Sequence, residues 1–289
     1  MKRLIIGFDS AWTAGNYGAI VGLLQVGDRR FVELDEPEVV NFEEAKTLID
    51  KLQHKHSTGQ TVIFIDQPAI VRNERGSRQA ETIVASSVGR RYGGVQPASK
   101  SRLGMFDSAA PIWCFLEKFG GPADPLSPVA NSSVFEVYPV LAAIALDWTL
   151  DDPGQRPSGR LPKYNPDRPS FLADDWQHVC NKLSYEFKRR KLFKISRWIA
   201  SVAQLKEPTK KHQDKLDACI CLLVAVHFLE GKSCLMVGDL ESGYIVAPNK
   251  NELCAELAVH CRKRKWRPED RIHTFALPPA CQCSGNSHV

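Results

Sequence analysis

The chain has 289 residues, of which 43% are hydrophobic and 25% are charged, and its formal net charge is +5. This composition is that of an ordinary folded protein and excludes a wholly disordered chain. The charge is mildly basic, which permits nucleic-acid binding without requiring it and excludes a histone-like polycation. No apolar run approaches the roughly 18 residues of a membrane span. The initial apolar stretch is broken by Asp9, which favours a strand over a signal peptide, so we expect a cytoplasmic protein.

The nine cysteines do not form an evident disulfide framework. Cys114, Cys219 and Cys221 lie inside apolar runs, which predicts buried, reduced thiols. Near the end of the chain, Cys281, Cys283 and His288 are a possible three-ligand metal cluster. Their surroundings are rich in Pro, Ser and Gly, which favours a flexible tail over residues 281–289 instead.

The first third of the chain predicts a mixed sheet. Apolar, β-branched runs predict strands, Gly27-Asp28 is a hairpin signal, and helical spacing predicts one long helix. The expected elements are strands at residues 3–9, 18–26, 29–36 and 61–66, with a helix at 42–56. This order combines an antiparallel portion, built from hairpins, with a helical crossover into a parallel strand.

The rest of the chain alternates helices and strands around a long irregular segment. Residues 151–170 contain five prolines, and a loop of that length in a compact domain is usually functional or mobile. The expected helices are 74–90, 107–119, 171–190, 195–204, 211–230 and 250–264, and the expected strands are 132–139, 234–237, the YIVAP segment and 271–277. We therefore predict one α/β domain over residues 1–280, with a helical and irregular insertion at about 150–205.

Three carboxylates lie in apolar runs, where burial of a charge is unfavourable. Asp9 ends the run LIIGF, Asp66 ends VIFI, and Glu136 interrupts VFEVY. A buried, ionised carboxylate costs several kcal/mol unless it is paired or bound to a metal ion. Structural alternatives exist for each. An Asp at a strand end often begins a turn. A turn role does not suit Glu136, for which the best structural alternative is a salt bridge to a buried arginine.

A second acidic pair begins the helix predicted at 211–230. Asp214 and Asp217 are three residues apart and share one helix face. The helix dipole favours negative charge there, so capping alone could explain Asp214, but it explains Asp217 less well. The ordinary pKa of histidine lies close to neutral pH, so His212 is suited to proton transfer. A histidine without a catalytic role is equally common at the start of a surface helix.

Taken together, these five carboxylates predict a metal site. Parallel strands deliver their carboxyl ends to one edge of a sheet, and the helix start can meet that edge. Converging carboxylates repel one another, and Mg²⁺ or Mn²⁺ relieves the repulsion. Two such ions about 3.5–4 Å apart can activate water and stabilise the leaving oxygen of a phosphodiester. We predict that Asp9, Asp66 and Glu136 share a cation with Asp214 or Asp217, and that Mg²⁺ stabilises the fold.

Six short motifs occur in the same order as in the domain-of-unknown-function 429 family. They are GFDSAWT, IDQP with the following RNERGSRQAE, FEVYP, KYNP, HQDKLDA and GYIVAP. The chain resembles this family from residue 3 to about 248. The resemblance implies a ribonuclease H-like fold and nuclease activity, with catalytic carboxylates at Asp9, Asp66, Glu136, Asp214 and Asp217. Gln213 stands where many members have a further acidic residue, so the resemblance implies one ligand fewer at this helix end.

A nuclease also needs positive charge around its acidic centre. The resemblance and the sequence point to Arg75, Arg78 and Lys100 as phosphate ligands, with Arg90, Arg91 and Arg102 nearby. The structural alternative is pairing with Glu74 and Glu81.

Two other functions compete with a nuclease that cleaves nucleic acid or another phosphodiester. One is a phosphotransferase of the actin and sugar-kinase fold, but no second glycine-rich phosphate loop is evident in the C-terminal half. The other is a catalytically silent module that binds nucleic acid or protein. The sequence names neither the substrate nor the oligomeric state.

Overall fold

The larger of the two sheets is mixed, as predicted. A computed structural model describes residues 2–27, 29–127, 129, 132–152, 154 and 158–277. The strands run in the order β3-β2-β1-β5-β6, with β4 also paired to β2. β1 is antiparallel to β2 and parallel to β5, which is parallel to β6. The strands are β1 (Arg3–Asp9), β2 (Gly18–Gln25), β3 (Phe31–Glu33), β4 (Glu38–Val40), β5 (Gln60–Asp66) and β6 (Ser132–Glu136).

Eight α-helices lie in the described part of the chain. They are α1 (Phe42–His56), α2 (Gln79–Arg90), α3 (Pro111–Lys118), α4 (Pro139–Ala145), α5 (Ala173–Arg189), α6 (Phe193–Val202), α7 (Lys210–Leu229) and α8 (Asn251–Lys263). The mixed α/β fold is therefore confirmed, including α5 and α6 in the predicted insertion. α2 begins later than predicted, and α4 was not predicted. Pro139 occupies the first turn of α4, where its missing N–H costs nothing, whereas the apolar sequence before it extends the strand pattern.

The two faces of the larger sheet carry separate cores. Alternate residues such as Ile5 and Phe64 pack with α5, α6 and the buried α7. Their neighbours, such as Ile6 and Ile65, pack on the other face with α1 and α3. Gly7 lies on the α7 face, where a Cβ atom would stand 2.3 Å from the carbonyl oxygen of Ala218. The absence of a side chain at Gly7 lets the α7 backbone lie directly on β1.

A smaller antiparallel sheet completes the fold. It has the order β8-β7-β9, with β7 (Cys234–Asp239), β8 (Gly243–Pro248) and β9 (Ile272–Phe275). A parallel bridge between Val137 and Val246 joins β8 to the end of β6. α2 and α8 contribute to the core on this sheet.

The remaining predictions concern the cysteines, membrane spans and the tail. Cys219 and Cys221 are buried free thiols, as predicted, but Cys114 is exposed because it lies on the outer side of α3. In the described ranges, no helix is long and apolar enough to cross a membrane. The turn at Asp28 and the tail with Cys281, Cys283 and His288 lie outside the described residues.

Candidate active site

Two aspartates lie side by side at the carboxyl edge of the larger sheet. Asp9 ends β1, Asp66 ends β5, and the two residues are register partners in the parallel pair. Because side chains alternate along strands, register partners point to the same face, here the face that carries α7. Both residues line a cleft of about 990 Å³. The predicted meeting of strand-end carboxylates is therefore present for this pair.

The start of α7 brings two further aspartates to the cleft. Asp214 and Asp217 both line it, and both are more than nine-tenths buried. The close contact of α7 with Gly7 positions this helix end, since Gly7 lies two residues before Asp9 on the same face. Four aspartates thus line one cleft, and Glu81 and Glu136 line it as well.

The four carboxylates differ in their hydrogen bonds. Asp217 accepts a hydrogen bond from the Tyr164 hydroxyl at 2.6 Å and another from Gln213 Nε2 at 2.8 Å. Asp214 is paired with the ammonium of Lys210, one turn earlier. In contrast, within the described chain, the side chains of Asp9 and Asp66 accept no hydrogen bond and form no salt bridge. These two carboxylates are therefore the ones available to a ligand.

The electrostatics of the cleft are those of a self-repelling cluster. Burial raises the pKa of Asp9 well above its ordinary value, and the carboxylates of Asp66 and Asp217 raise it further. Burial and Asp217 likewise raise the pKa of Asp66. Burial raises the pKa of Asp217 to about 6, against the opposing effects of Lys210, Tyr164 and Gln213. Lys210 is the nearest compensating cation, and although burial lowers its pKa, the surrounding aspartates raise it above the ordinary value.

Glu136 has a different environment from the other four. Its two oxygens accept hydrogen bonds from both terminal nitrogens of Arg78, at 2.8 and 2.5 Å, and one also accepts from the backbone N–H of Ala69. This is the buried-arginine alternative that the sequence left open. Strand register explains why the Glu136 side chain does not stand beside that of Asp66. Glu136 pairs with Ile65 in β6 and β5, so it leaves the sheet on the opposite face from Asp66.

The predicted phosphate ligands are mostly engaged elsewhere. Arg78 lines the cleft, but its guanidinium also donates to Glu81 and to the carbonyl of Ile70. Arg75 and Lys100 are exposed and are absent from the described lining of the cleft, and Lys100 pairs with Glu74 at 2.8 Å. Arg90 and Arg91 face Glu256, and Arg102 donates to Gln96. The pairings with Glu74 and Glu81 are again the alternative that the sequence allowed.

Other residues supply the positive charge of the cleft. Lys163 and Arg168 line it, are exposed, and form no salt bridge with any described residue. Together with Lys210 and Tyr164, they were not predicted as site residues. The KYNP motif inside the long proline-rich loop could have identified Lys163 and Tyr164, but it does not include Arg168 or Lys210. His212 does not appear in the described lining, and its Nδ1 accepts a hydrogen bond from the Thr209 backbone N–H at 3.0 Å, which caps α7.

The residues present fit a divalent cation that is bound mainly by substrate and water. Among the described residues, no three His, Cys, Asp or Glu side chains come together as a ready-made metal site. Mg²⁺ usually binds through only one or two carboxylates, together with waters and substrate phosphates. Asp9 and Asp66 provide two such carboxylates, which have no other partner among the residues that the structure describes. Glu136, the further predicted ligand, lines the same cleft, but both of its carboxylate oxygens accept hydrogen bonds from Arg78.

The raised pKa values give a testable dependence of stability on pH. A carboxyl group whose pKa is higher in the folded state stabilises the fold below its ordinary pKa of 3.8, and this contribution is lost as pH rises. In metal-free buffer, we therefore expect Asp9→Asn to stabilise the protein relative to wild type. The gain should be small at pH 4 and should grow as the pH is raised to 7.5. Urea unfolding with EDTA across this pH range measures it.

Asp50→Asn is the matched control, because Asp50 lies on the exposed side of α1 and pairs with Lys118. It should show no gain that increases with pH. If Asp9→Asn behaves in the same way as Asp50→Asn, the carboxylates of the cleft do not repel one another.

The structure thus defines a mixed α/β protein whose parallel strands end in an acidic cleft. A family model described as "Protein of unknown function (DUF429)" matches residues 18–241, which is most of the chain. The protein therefore belongs to the DUF429 family, as its motifs predict. Asp66, Glu136, Asp214 and Asp217 lie within the matched span, and Asp9 precedes it. Comparisons with curated proteins and with solved structures gave no match.

Proposed function

We propose that this protein is a metal-dependent nuclease or phosphodiesterase that holds Mg²⁺ or Mn²⁺ on Asp9 and Asp66. The observation that carries the proposal is the register of these two residues. They end adjacent parallel strands, point to the same face and have no partner among the described residues. An unpaired, largely buried pair of carboxylates is costly unless a cation binds it. Hard divalent cations are the ions that such pairs of carboxylates bind best.

The sheet supports the same proposal. An antiparallel hairpin followed by parallel strands, with an aspartate at the end of the first strand, is the arrangement that the family resemblance implies for a ribonuclease H-like protein. Fold alone does not establish chemistry, so the argument depends on the cleft.

The surrounding residues suggest how the reaction would be divided among them. A bound divalent ion would stabilise negative charge on the phosphoryl oxygens and would favour ionisation of water. Asp217, with a pKa of about 6, suits the role of a base that accepts a proton from the attacking water. Tyr164 and Gln213 fix its orientation through their hydrogen bonds. Lys163 and Arg168 are placed to bind phosphate oxygens of the substrate.

A second ion would need Asp214 and Asp217 as ligands. Its binding would break the salt bridge between Asp214 and Lys210, and it would compete with the hydrogen bonds that Asp217 accepts from Tyr164 and Gln213. The two-metal form of the proposal therefore predicts that substrate binding rearranges Lys210.

A cleavage panel tests the proposed function. Wild-type protein is incubated with single-stranded DNA, RNA, an RNA–DNA hybrid, duplex DNA and a small phosphodiester, each with Mg²⁺, Mn²⁺ or EDTA. We expect cleavage of at least one substrate with metal and none with EDTA or in Asp9→Asn. Binding of nucleic acid without cleavage under every condition would favour the silent binding module instead.

A further inference from the structure

The cleft is lined by aromatic side chains in addition to its acids. Trp12 and Tyr17 lie in the loop between β1 and β2, and Tyr92 follows α2. Tyr17 is 56% exposed and Tyr92 is 50% exposed. Single exposed aromatic residues are common on protein surfaces, but these three line the same cleft as Asp9 and Asp66.

Two of these residues have an unusual backbone conformation. Trp12 and Tyr92 each have a φ of 61°, in the left-handed region that bulky residues avoid. Such a conformation costs about 1–3 kcal/mol and persists where the surrounding structure enforces it, often at functional sites. The Trp12 ring packs edge-on against Phe106 at 5.7 Å, and the Tyr92 hydroxyl donates to Asp152 at 3.0 Å. Both rings are therefore held in place at the cleft.

The cleft also carries two exposed cations among its acids. Lys163 and Arg168 are exposed cations without a salt bridge to any described residue, and they line the same cleft as the three rings. Aromatic rings next to a basic groove are the combination that binds single strands, because rings stack on bases while cations bind phosphates. In a duplex, the faces of the bases are already stacked and are not available to side chains.

We infer that the cleft binds single-stranded nucleic acid, with unpaired bases stacked on Trp12, Tyr17 and Tyr92 and phosphates bound by Lys163 and Arg168. This inference rests on the proposed function, since it names the substrate class of the same site. It places the strand across the ends of β1 and β5, next to Asp9 and Asp66.

Binding without cleavage tests the inference directly. Fluorescence anisotropy is measured with the Asp9→Asn variant, so that the probes stay intact. The probes are labelled DNA and RNA single strands of about 12 nucleotides, an abasic strand of equal length and a blunt duplex. We expect the base-containing strands to bind roughly 5- to 150-fold more tightly than the abasic strand. The duplex should also bind more weakly than the single strands.

Variants of exposed tyrosines provide the matched comparison. Tyr17→Ala should weaken binding of base-containing strands by roughly 5- to 150-fold, with little effect on the abasic strand, whereas Tyr17→Phe should retain most of the affinity. Tyr185, 63% exposed on α5 and absent from the described lining, is the control, and Tyr185→Ala should bind as the parent does. Equal binding of abasic and base-containing strands, or of duplex and single strand, would overturn the inference.

Different experimental results would contradict the inference and the proposed function. Stacking-dependent binding in Asp9→Asn, without metal-dependent cleavage in wild type, would contradict the nuclease and leave the single-strand site in place. Metal-dependent cleavage of duplex and abasic substrates as fast as of single strands would contradict only the inference.

Discussion

Replacing Arg78 with methionine is expected to lower the free energy of unfolding by about 3–5 kcal/mol. Arg78 is 2% exposed and is hydrogen-bonded to both Glu136 and Glu81, which are themselves 3% exposed. Methionine fills similar space but leaves two buried carboxylates without their cation. Since a whole domain is stable by only about 5–15 kcal/mol, this is a large part of the total. Urea unfolding at pH 7 measures the change.

Two further variants isolate the cause. Arg75→Met changes an exposed arginine of the same segment and should alter stability by less than about 0.5 kcal/mol. Adding Glu136→Gln and Glu81→Gln to Arg78→Met should recover part of the loss, because the unpaired charges are then removed. A loss below about 1 kcal/mol for Arg78→Met would show that this network does not stabilise the fold. Arg78 would then be available as a phosphate ligand.

Replacing Asp66 with asparagine is expected to reduce metal-dependent hydrolysis by at least about 100-fold. Loss of groups that only orient metal ligands already costs 10- to 100-fold, so loss of a direct ligand should cost at least as much. Asparagine is nearly isosteric but uncharged, and it removes repulsion from the cleft. The variant should therefore fold at least as stably as wild type without metal. Initial cleavage rates as a function of Mg²⁺ concentration measure the effect.

Asp174→Asn is the control for this prediction, because Asp174 is an exposed residue in the first turn of α5, away from the described lining of the cleft. It should cleave at the wild-type rate. Hydrolysis by Asp66→Asn at the wild-type rate, with an unchanged Mg²⁺ requirement, would remove Asp66 from the metal site and leave IDQP as a structural turn.

Local patterns were sufficient to predict most of the elements. α1 begins and ends where its apolar spacing predicts, and its start is fixed by a capping box between Asn41, just before the helix, and Glu44 in its first turn. The runs that end in Asp9 and Asp66 are the parallel pair expected from their apolar, β-branched composition. α4 was missed because the apolar run before it was assigned to a strand as far as Pro139, which is the first residue of the helix.

The candidate site was only partly predictable, because its composition depends on register and on distant loops. Asp9 and Asp66 were identifiable from strand ends alone. The face that Glu136 points to depends on its pairing with Ile65, and a shift of one residue would reverse that face. Arg78 was correctly placed near the cleft but was assigned to phosphate, because its buried partners are distant in sequence. Lys163 and Arg168 come from an irregular loop, where no periodic pattern indicates which side chains face inward.

The central claim is that Asp9 and Asp66 together hold a divalent cation, and titration with Mn²⁺ followed by electron paramagnetic resonance tests it most directly. The signal of free Mn²⁺ is lost on binding, so the number of ions and their affinity are measured without a substrate. We expect wild-type protein to bind at least one ion that Mg²⁺ displaces. Asp9→Asn and Asp66→Asn should each lose that ion, and the surface variant Asp50→Asn should keep it. Equal Mn²⁺ binding by wild type and both cleft variants, or no binding by wild type, would contradict the account.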